Sequence, residues 1–214
     1  MKHVTFYLDF ISPYAYLAFE RLPEALEGLS YSVAYKPLLL GAVLRHHGQL
    51  GPAEIPSKRE WTYRQVLWLG HAHGIPIEMP ASHPYNPLAH LRLSLATSPD
   101  GTVSRHVAET IFRDVWRGGG EASDAGRLEA LAARLSLQRE PASDAVKAQL
   151  KANTEEAIAR GVFGVPAFAV DDRLIWGFDG LAMLRAALMG DAWFDGPRWR
   201  AVAERPALLP RSNR

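Results

Sequence analysis

The stretch VTFYLDFISPYAYLAF, residues 4–19, contains the passage from strand to helix that decides the fold. Residues His3 to Phe10 are rich in β-branched and aromatic side chains, which is typical of a strand. Ser12 followed by Pro13 indicates a helix start, with serine at the N-cap and proline at the first helical position. Asp9 and Pro13 interrupt the apolar run, which argues against a secretory signal peptide. The stretch therefore predicts a strand that leads directly into a helix.

The remaining strand patterns flank a long block of helical patterns. Tyr31 to Pro37 alternates in polarity, and a two-residue turn joins Ala167–Val170 to Arg173–Trp176 as in a hairpin. Between Leu38 and about Gly161 the chain shows helical patterns separated by glycine and proline, and no convincing strand. Asp179 is expected to cap a last helix. The order predicts an α/β fold, a thioredoxin-like domain with a large all-helical insertion.

The predicted thioredoxin-like domain is discontinuous along the chain. Residues 1–38 and 155–190 form it, on either side of a helical insertion at residues 39–154. Residues 191–214 form an irregular C-terminal tail that contains proline and tryptophan. Within the first helix, Pro23 is expected to kink or split the helix, because proline removes a backbone hydrogen bond.

Composition limits the classes of function. Of 214 residues 48% are hydrophobic and 22% charged, so a packed domain is expected. The net charge of +1 favours neither nucleic acid nor a membrane surface as partner. With no cysteine, the chain has no thiol nucleophile and no disulfide of its own. The eight histidines show no zinc-binding spacing, so no metal is expected. No apolar run could span a bilayer, and we expect a cytoplasmic protein.

Several segments together resemble one known family. They are DFISPYAYLA at residues 9–18, GVFGVPAF at residues 161–168, WGFDGL at residues 176–181 and HPYNPLAHLRL at residues 83–93. The combination resembles the glutathione-dependent 2-hydroxychromene-2-carboxylate isomerases, which belong to the DsbA-like, kappa-class glutathione transferase group. The resemblance implies a thioredoxin-type fold, glutathione as cofactor, a small aromatic acid as substrate, and a homodimer.

Ser12 matches the family serine at the start of the first helix. Redox relatives with this fold carry a C-x-x-C pair here, whereas this chain reads SPYA at residues 12–15, so disulfide exchange is impossible. The resemblance implies that Ser12 is the catalytic residue and donates a hydrogen bond to the glutathione sulfur. The helix N-terminus would then favour the thiolate over the thiol. The alternative is that Ser12 only caps the helix.

The resemblance places the rest of the glutathione site near the end of the chain. Val165-Pro166 matches the family's cis-proline, and the Val165 backbone is expected to pair with the cysteinyl backbone of glutathione. The alternative is a trans proline that begins a strand. The γ-glutamyl end is expected at the segment made of Trp176, Gly177, Phe178 and Asp179. There Asp179 would accept hydrogen bonds from the α-ammonium, or serve only as a helix cap, and the helix start would receive the α-carboxylate.

Candidate substrate contacts lie in the helical block. Gln49 falls where the family has an asparagine that contacts glutathione or substrate, so the amide is kept and its reach is longer. Arg45 lies near a family lysine for the substrate carboxylate, although a strict alignment places Leu44 there. Tyr85 and Asn86 match a Tyr-Asn pair of the family's substrate pocket. The alternatives are a packed aromatic at Tyr85 and a helix cap at Asn86.

The resemblance implies an isomerase in which the glutathione thiolate adds to a conjugated substrate. Addition permits rotation about the new single bond, and the thiolate is then expelled. The alternative within enzymes is a glutathione transferase or dehalogenase, in which a leaving group is lost. A non-catalytic thioredoxin-fold binding protein is the alternative from a different class. Ser12, Val165-Pro166 and Asp179 favour an enzyme, whereas Gln49 mildly supports the binding protein.

Overall fold

The computed structural model describes residues 1–202 and 205. The end of the predicted C-terminal tail, residues 203–204 and 206–214, lies outside the described residues. The helices and strands, in chain order, are β1 (Lys2–Leu8), α1 (Pro13–Ala25), β2 (Tyr31–Pro37), α2 (Leu40–His46), α3 (Pro56–Ala72), α4 (Leu88–Ala96), α5 (Arg105–Arg117), α6 (Ala125–Arg134), α7 (Asp144–Ala159), β3 (Ala167–Val170), β4 (Arg173–Trp176), α8 (Leu181–Leu188) and α9 (Pro197–Ala201).

The strands form one mixed sheet in the order β2-β1-β3-β4. β1 runs parallel to β2, with Val4 opposite Val33. It runs antiparallel to β3, with Phe6 opposite Phe168. β3 and β4 form the predicted hairpin with the predicted bounds. This β-α-β plus β-β-α arrangement is the thioredoxin-like fold that the sequence predicts.

Two predictions about the first strand and helix need correction. α1 is one continuous helix although Pro23 lies inside it, because a proline this near the C-terminus removes only one of the last backbone hydrogen bonds. β1 ends at Leu8 rather than at Phe10. The chain turns there, since the carbonyl of Asp9 accepts a hydrogen bond from the Ser12 N–H at 3.1 Å.

Helices α2 to α7 occupy the block that was expected to be helical. The sequence patterns do not predict α2, because its N-cap residue Leu39 has no capping side chain to mark the start. Val103, expected in a helix, forms an isolated antiparallel bridge with Tyr35 instead. α5 begins after it, behind Ser104, whose side chain caps the helix. The division of the chain into a discontinuous domain and an insertion stays a prediction.

Aromatic side chains from α1, α5 and the loop after β1 fill the centre of the core. Trp116 is fully buried, and its Nε1 donates to the carbonyl oxygen of Phe10 at 2.9 Å. Its ring stacks on Tyr16 with centroids 6.3 Å apart. The Phe19 and Phe112 rings lie 5.2 Å apart beside them. Each such buried side chain contributes about 1.5–3 kcal/mol to stability, so α1 and α5 are held firmly together.

The C-terminal helices pack back toward α1. Arg185 on α8 donates from Nη1 to the carbonyl of Ala25 at 3.1 Å and to that of Glu27 at 2.9 Å. These carbonyls lie at the end of α1, so α8 is fastened there. The tail expected to be irregular is helical where described, because Asp191 caps a short 3-10 helix by accepting from the Trp193 N–H, and α9 follows. None of the helices in the described part of the chain has the length and apolarity that crossing a membrane requires.

Candidate active site

Ser12 lies where α1 begins, and only 6% of its surface is exposed. Its Oγ accepts a hydrogen bond from the Ala15 N–H at 3.2 Å, with Pro13 at the first helical position. Its hydroxyl donates to the carbonyl oxygen of Val165 at 3.4 Å, which is long beside the about 2.7–2.8 Å usual for O–H···O bonds. Ser12 therefore caps α1, as predicted, and only a weak bond engages its hydroxyl proton.

A buried carboxylate lies three residues before Ser12. Asp9 is fully buried, and its two oxygens accept from the N–H groups of Ile11 at 3.2 Å and Leu40 at 2.9 Å. Burial raises the pKa of Asp9 to about 7. The hydrogen bonds from these amides lower the pKa, but the effect of burial is larger. Sequence reasoning missed this residue as part of the site, although a carboxylate within an apolar strand pattern is a signal for a buried polar group.

His83 holds the same loop from the opposite side. Its Nε2 lies 2.8 Å from the carbonyl oxygen of Ile11, and its Nδ1 lies 2.9 Å from the Tyr63 hydroxyl. Because a carbonyl only accepts, we assign the ring proton to Nε2 and the acceptor role to Nδ1. Burial lowers the pKa of His83, so the ring is neutral at physiological pH. Sequence reasoning had placed His83 in a family-like segment without giving it a role.

The Val165–Pro166 peptide bond is cis, and it faces the start of α1 through the contact with Ser12. Within the described residues, the Val165 N–H donates no backbone hydrogen bond. The Pro166 carbonyl accepts from the Gly177 N–H at 2.9 Å. The structure thus brings Ser12, the Val165–Pro166 loop and the segment after β4 together, as the sequence predicts.

The turn after β4 corrects the role of Asp179. Gly177 has a φ of 95°, a conformation that residues with a side chain avoid, and the following turn places Gly180 at the N-cap of α8. The prediction that Asp179 caps this helix is therefore wrong. The Asp179 side chain is exposed and folds back over Gly177. In the part of the chain that the structure describes, its carboxylate accepts no hydrogen bond and forms no ion pair.

Trp176 and Phe178 contact different neighbours on the two sides of this turn. Trp176 is half exposed, with its ring 5.2 Å from that of Phe163 and its indole nitrogen against Gly164. The Phe178 ring lies 5.2 Å from His73, at the end of α3. The Trp176 side chain therefore packs beside the Val165 loop, and Phe178 connects the turn to the helical block.

Tyr14 shows that Asp179 lies near the first turn of α1. Burial raises the pKa of Tyr14, and the charge of Asp179 raises it further. The Tyr14 hydroxyl donates to Gln65 on α3 at 2.6 Å. The carboxylate is therefore within electrostatic reach of the helix turn that begins at Ser12.

Arg45 and Gln49 lie at and beyond the end of α2, and both are exposed. Between them, His47 places its Nε2 3.1 Å from the carbonyl oxygen of Val162. That contact brings the loop next to the segment that leads to Val165. The side chains of Arg45 and Gln49 form no hydrogen bond or ion pair with another described residue. Neither side chain contacts Ser12.

Tyr85 and Asn86 are adjacent in sequence, but the side chain of Tyr85 is buried and that of Asn86 is exposed. Tyr85 is buried, with its ring 5.4 Å from that of His90. Among the described residues, the Tyr85 hydroxyl and both ring nitrogens of His90 lack a hydrogen-bond partner. Burial raises the pKa of Tyr85 well above its usual range and lowers that of His90 to about 4. Asn86 is exposed, and its Oδ1 accepts from the Leu88 N–H at 3.1 Å, so it caps the start of α4 from one position before the N-cap.

The candidate site is defined by converging polar groups, and two surface depressions lie elsewhere on the described part of the chain. One surface depression of about 430 Å³ lies between Arg113, Arg127 and Arg134. Another of about 320 Å³ lies between α4 and α6. No predicted site residue lines either depression.

Comparison with known proteins shows which family and which solved fold this chain is similar to. The model of the DSBA-like thioredoxin domain matches residues 3–189. A 2-hydroxychromene-2-carboxylate isomerase of Pseudomonas putida is 32% identical, over 86% of this chain and 93% of that protein. Glutathione S-transferase kappa 1 of Homo sapiens is 26% identical, over 95% of this chain and 97% of that protein. A solved 2-hydroxychromene-2-carboxylate isomerase superposes with a TM-score of 0.76 at 26% identity, over 90% of this chain and 97% of that chain.

Proposed function

We propose, because this chain belongs to the DSBA-like thioredoxin domain family together with the 2-hydroxychromene-2-carboxylate isomerases, that it is a glutathione-dependent isomerase of a small aromatic acid. Relatives named as isomerases of 2-hydroxychromene-2-carboxylate support the reaction and the substrate class. Relatives named as kappa glutathione transferases support the use of glutathione.

The observation that carries the proposal is the position of the Ser12 hydroxyl. It lies at the N-terminus of α1, opposite the Val165–Pro166 loop. The helix dipole favours an anion there, and the Tyr14 N–H donates no hydrogen bond to another described residue. A chain without cysteine cannot place its own thiolate there. A serine at this point is suited to binding a thiolate that a ligand provides.

Glutathione fits the groups that the structure leaves without partners. The free N–H of Val165 matches the backbone of the cysteinyl residue. The exposed carboxylate of Asp179 matches the α-ammonium of the γ-glutamyl end. α8 has no side-chain cap. Its Leu181 N–H donates to the Phe178 carbonyl at 3.3 Å, whereas the N–H groups of Ala182 and Met183 donate to no other described residue and are available to the α-carboxylate. We assign Gln49, at the rim near Val162, to a further polar contact.

In this proposal, bound glutathione supplies the thiolate that adds to the conjugated substrate and leaves after bond rotation. The Ser12 hydroxyl gives up its long bond to Val165 and donates to the sulfur, because a charge-assisted bond is about twice as strong as a neutral one. His83 keeps the carbonyl of Ile11 oriented, which fixes the backbone next to Ser12. We assign Arg45, exposed and without an ionic partner among the described residues, to the substrate carboxylate, and Tyr85 and Asn86 to the pocket wall.

A kappa-class glutathione transferase or dehalogenase is the second candidate. The kappa relatives favour it, and the same groups would hold the same thiolate. The two reactions differ in the substrate, which loses a leaving group in a transfer and keeps all its atoms in an isomerisation. A non-catalytic binding protein would hold glutathione without turning over either substrate.

The test is a spectrophotometric assay of 2-hydroxychromene-2-carboxylate isomerisation with glutathione, without it, and with S-methylglutathione. We expect turnover that saturates with glutathione and is lost with the S-methyl compound, which keeps the groups that Val165 and Asp179 would bind and lacks the thiol. Turnover without glutathione would overturn the cofactor assignment. Reaction with an activated aryl chloride and no isomerisation would favour the transferase, and calorimetric binding with neither reaction would favour the binding protein. The homodimer stays a prediction for sedimentation analysis.

A further inference from the structure

A single side chain joins two segments that the proposed site needs in fixed register. The Oδ1 atom of Asp9 accepts from the Ile11 N–H at 3.2 Å, next to Ser12 in the chain. The Oδ2 atom accepts from the Leu40 N–H at 2.9 Å, at the first position of α2. α2 leads to the loop that carries Gln49. One carboxylate therefore joins the backbone next to Ser12 to the start of the helix that leads toward Gln49.

Asp9 takes the place of the capping residue that α2 lacks. The N-cap residue of α2 is Leu39, whose side chain makes no capping hydrogen bond. The first N–H groups of this helix are bonded from outside it, that of Leu40 by Asp9 and that of Leu39 by the Thr154 hydroxyl at 3.1 Å. A negative charge at a helix N-terminus also interacts favourably with the helix dipole. Loss of the Asp9 contact would leave a partly buried N–H without a partner, which loosens the start of α2.

We propose that Asp9 is a positioning residue, which fixes the Ser12 loop against the start of α2 and so sets the arrangement in which both segments meet glutathione. Asp9 itself is fully buried and touches neither glutathione nor substrate. The effect on turnover rests on the proposed function, whereas the link between the two segments does not.

The charge of Asp9 decides whether both bonds form. The carboxylate accepts from both N–H groups, whereas the protonated acid carries an O–H that opposes one of them. Burial raises the pKa of Asp9 to about 7, so this change falls in the physiological range. The negative charge of Asp9 raises the pKa of the Tyr85 hydroxyl, so the two groups lie near each other. The other titratable and charged groups around Tyr85 are His83, His90, Asp114 and Arg127. Burial lowers the pKa of both histidines, that of His90 to about 4, so both are neutral near pH 7, where Asp9 changes charge.

The test removes the Leu40 N–H and keeps the helix. Leu40→Pro deletes the donor to Oδ2 at the first helical position, where proline is tolerated. Leu39 before it already has the extended backbone that a following proline requires, with φ of −89° and ψ of 100°. Leu40→Ala keeps the N–H and loses the side chain, so it is the matched control.

The measurements are the pH titration of the Asp9 carboxyl carbon by NMR and calorimetric titration with glutathione at pH 7. We expect the Asp9 pKa to be near 7 in the wild type and in Leu40→Ala. In Leu40→Pro it should rise by about one pH unit, because a hydrogen bond to the charged form is lost. The Kd for glutathione should rise severalfold in Leu40→Pro relative to Leu40→Ala.

Equal Asp9 pKa values in Leu40→Pro and Leu40→Ala, or equal Kd values for glutathione in these two variants, would overturn the proposal. Circular dichroism shows whether Leu40→Pro is folded. If it is not, Asp9→Asn provides the second test, because an unchanged pH dependence of glutathione affinity near pH 7 would also overturn it. A wild type with the raised Asp9 pKa and no glutathione binding would instead sink the proposed function and leave the link between the two segments standing.

Discussion

The two helix starts that would hold glutathione are built in opposite ways. At α1, Ser12 caps the helix and is buried, and the loop before it is bonded through Asp9 and His83. At α8, Gly180 provides no side-chain cap, and Asp179 is exposed without a partner among the described residues. A group that takes part in chemistry needs a fixed position, whereas a group that only binds one end of a ligand needs free hydrogen-bonding capacity. We therefore expect the first helix start to act in catalysis and the second to act in binding.

Replacing Ser12 should have the largest effect. In Ser12→Ala, kcat should fall by about 10²–10³-fold, as for loss of one donor to a developing anion, and stability by about 1 kcal/mol. Ser143→Ala is the matched control, since Ser143 caps α7 by accepting from the Val146 N–H at 3.4 Å. It should cost similar stability and leave kcat unchanged. If Ser12→Ala behaves like Ser143→Ala, the hydroxyl is a cap and nothing more.

The buried carboxylate should be visible in the pH dependence of stability. Asp9 has a pKa of about 7 when folded, against about 3.9 unfolded, so its contribution to the free energy of unfolding is lost as pH rises through 7. His90 has a pKa of about 4 when folded, against about 6.5 unfolded, so its contribution is lost as pH falls through 4. Between about pH 4 and pH 6.5, the Asp9 contribution falls with pH while the His90 contribution rises, so the two changes in the free energy of unfolding offset each other.

Asp9→Asn should remove one slope and leave the other. We expect the free energy of unfolding of this variant to rise between about pH 4 and pH 6.5 by up to about 3 kcal/mol, whereas the wild type stays more level. Urea unfolding at pH steps measures this. Asp179→Asn is the control from the exposed side and should reproduce the wild-type curve. A curve for Asp9→Asn that matches the wild type would show that Asp9 is not the buried titrating group.

Replacing Asp179 should weaken binding without weakening the fold. In Asp179→Asn, the Kd for glutathione should rise about tenfold, because a charged hydrogen bond is lost, while stability stays within about 0.5 kcal/mol. Calorimetry and thermal unfolding measure the two effects. Asp172→Asn, at an exposed position in the hairpin turn, should change neither. A clear loss of stability in Asp179→Asn would contradict the view that this side chain is free.

Adding a methyl group at Gly177 should have the smallest effect on glutathione binding. It tests whether the start of α8 needs Asp179 in its observed position. Gly177→Ala strains the backbone at φ of 95° and pushes aside the Asp179 carboxylate that lies over it. Gly28→Ala adds similar strain at φ of 80°, where nothing lies within reach of the added carbon. Both should cost about 1 kcal/mol of stability. Only Gly177→Ala should raise the Kd for glutathione, by a few-fold, and an equal Kd in both variants would show that the position of Asp179 does not matter.

Local signals in the sequence predict the elements that depend on local chemistry. The β3–β4 hairpin follows from a two-residue turn between β-rich runs, and it has the predicted bounds. The start of α1 follows from Ser12 and Pro13, because a cap and an N1 proline act within one helical turn. The family resemblance, and not a local pattern, implies that Ser12 and the Val165–Pro166 loop belong to one site, and the two segments do meet in the structure.

Interactions between distant residues explain what the sequence does not predict. α2 has no capping residue of its own, because Asp9, 31 residues earlier in the chain, supplies the acceptor. Asp179 does not cap α8 as predicted, because the turn at Gly177 delays the helix by one residue. The contact of Asp179 with glutathione stays a prediction. Tyr85 is buried beside His90, which agrees with the alternative of a packed aromatic and leaves its place in a substrate pocket a prediction.

The two bonds from Arg185 to the end of α1 have a consequence for how this chain can vary over evolution. They fix α8 to the far end of a helix whose first turn carries Ser12. Inserting one residue in α1 would turn its start by about 100° and shift it by about 1.5 Å relative to α8. Insertions and deletions should therefore accumulate in the loops of the helical block, and the length of α1 should be the same in every homologue that keeps the arginine.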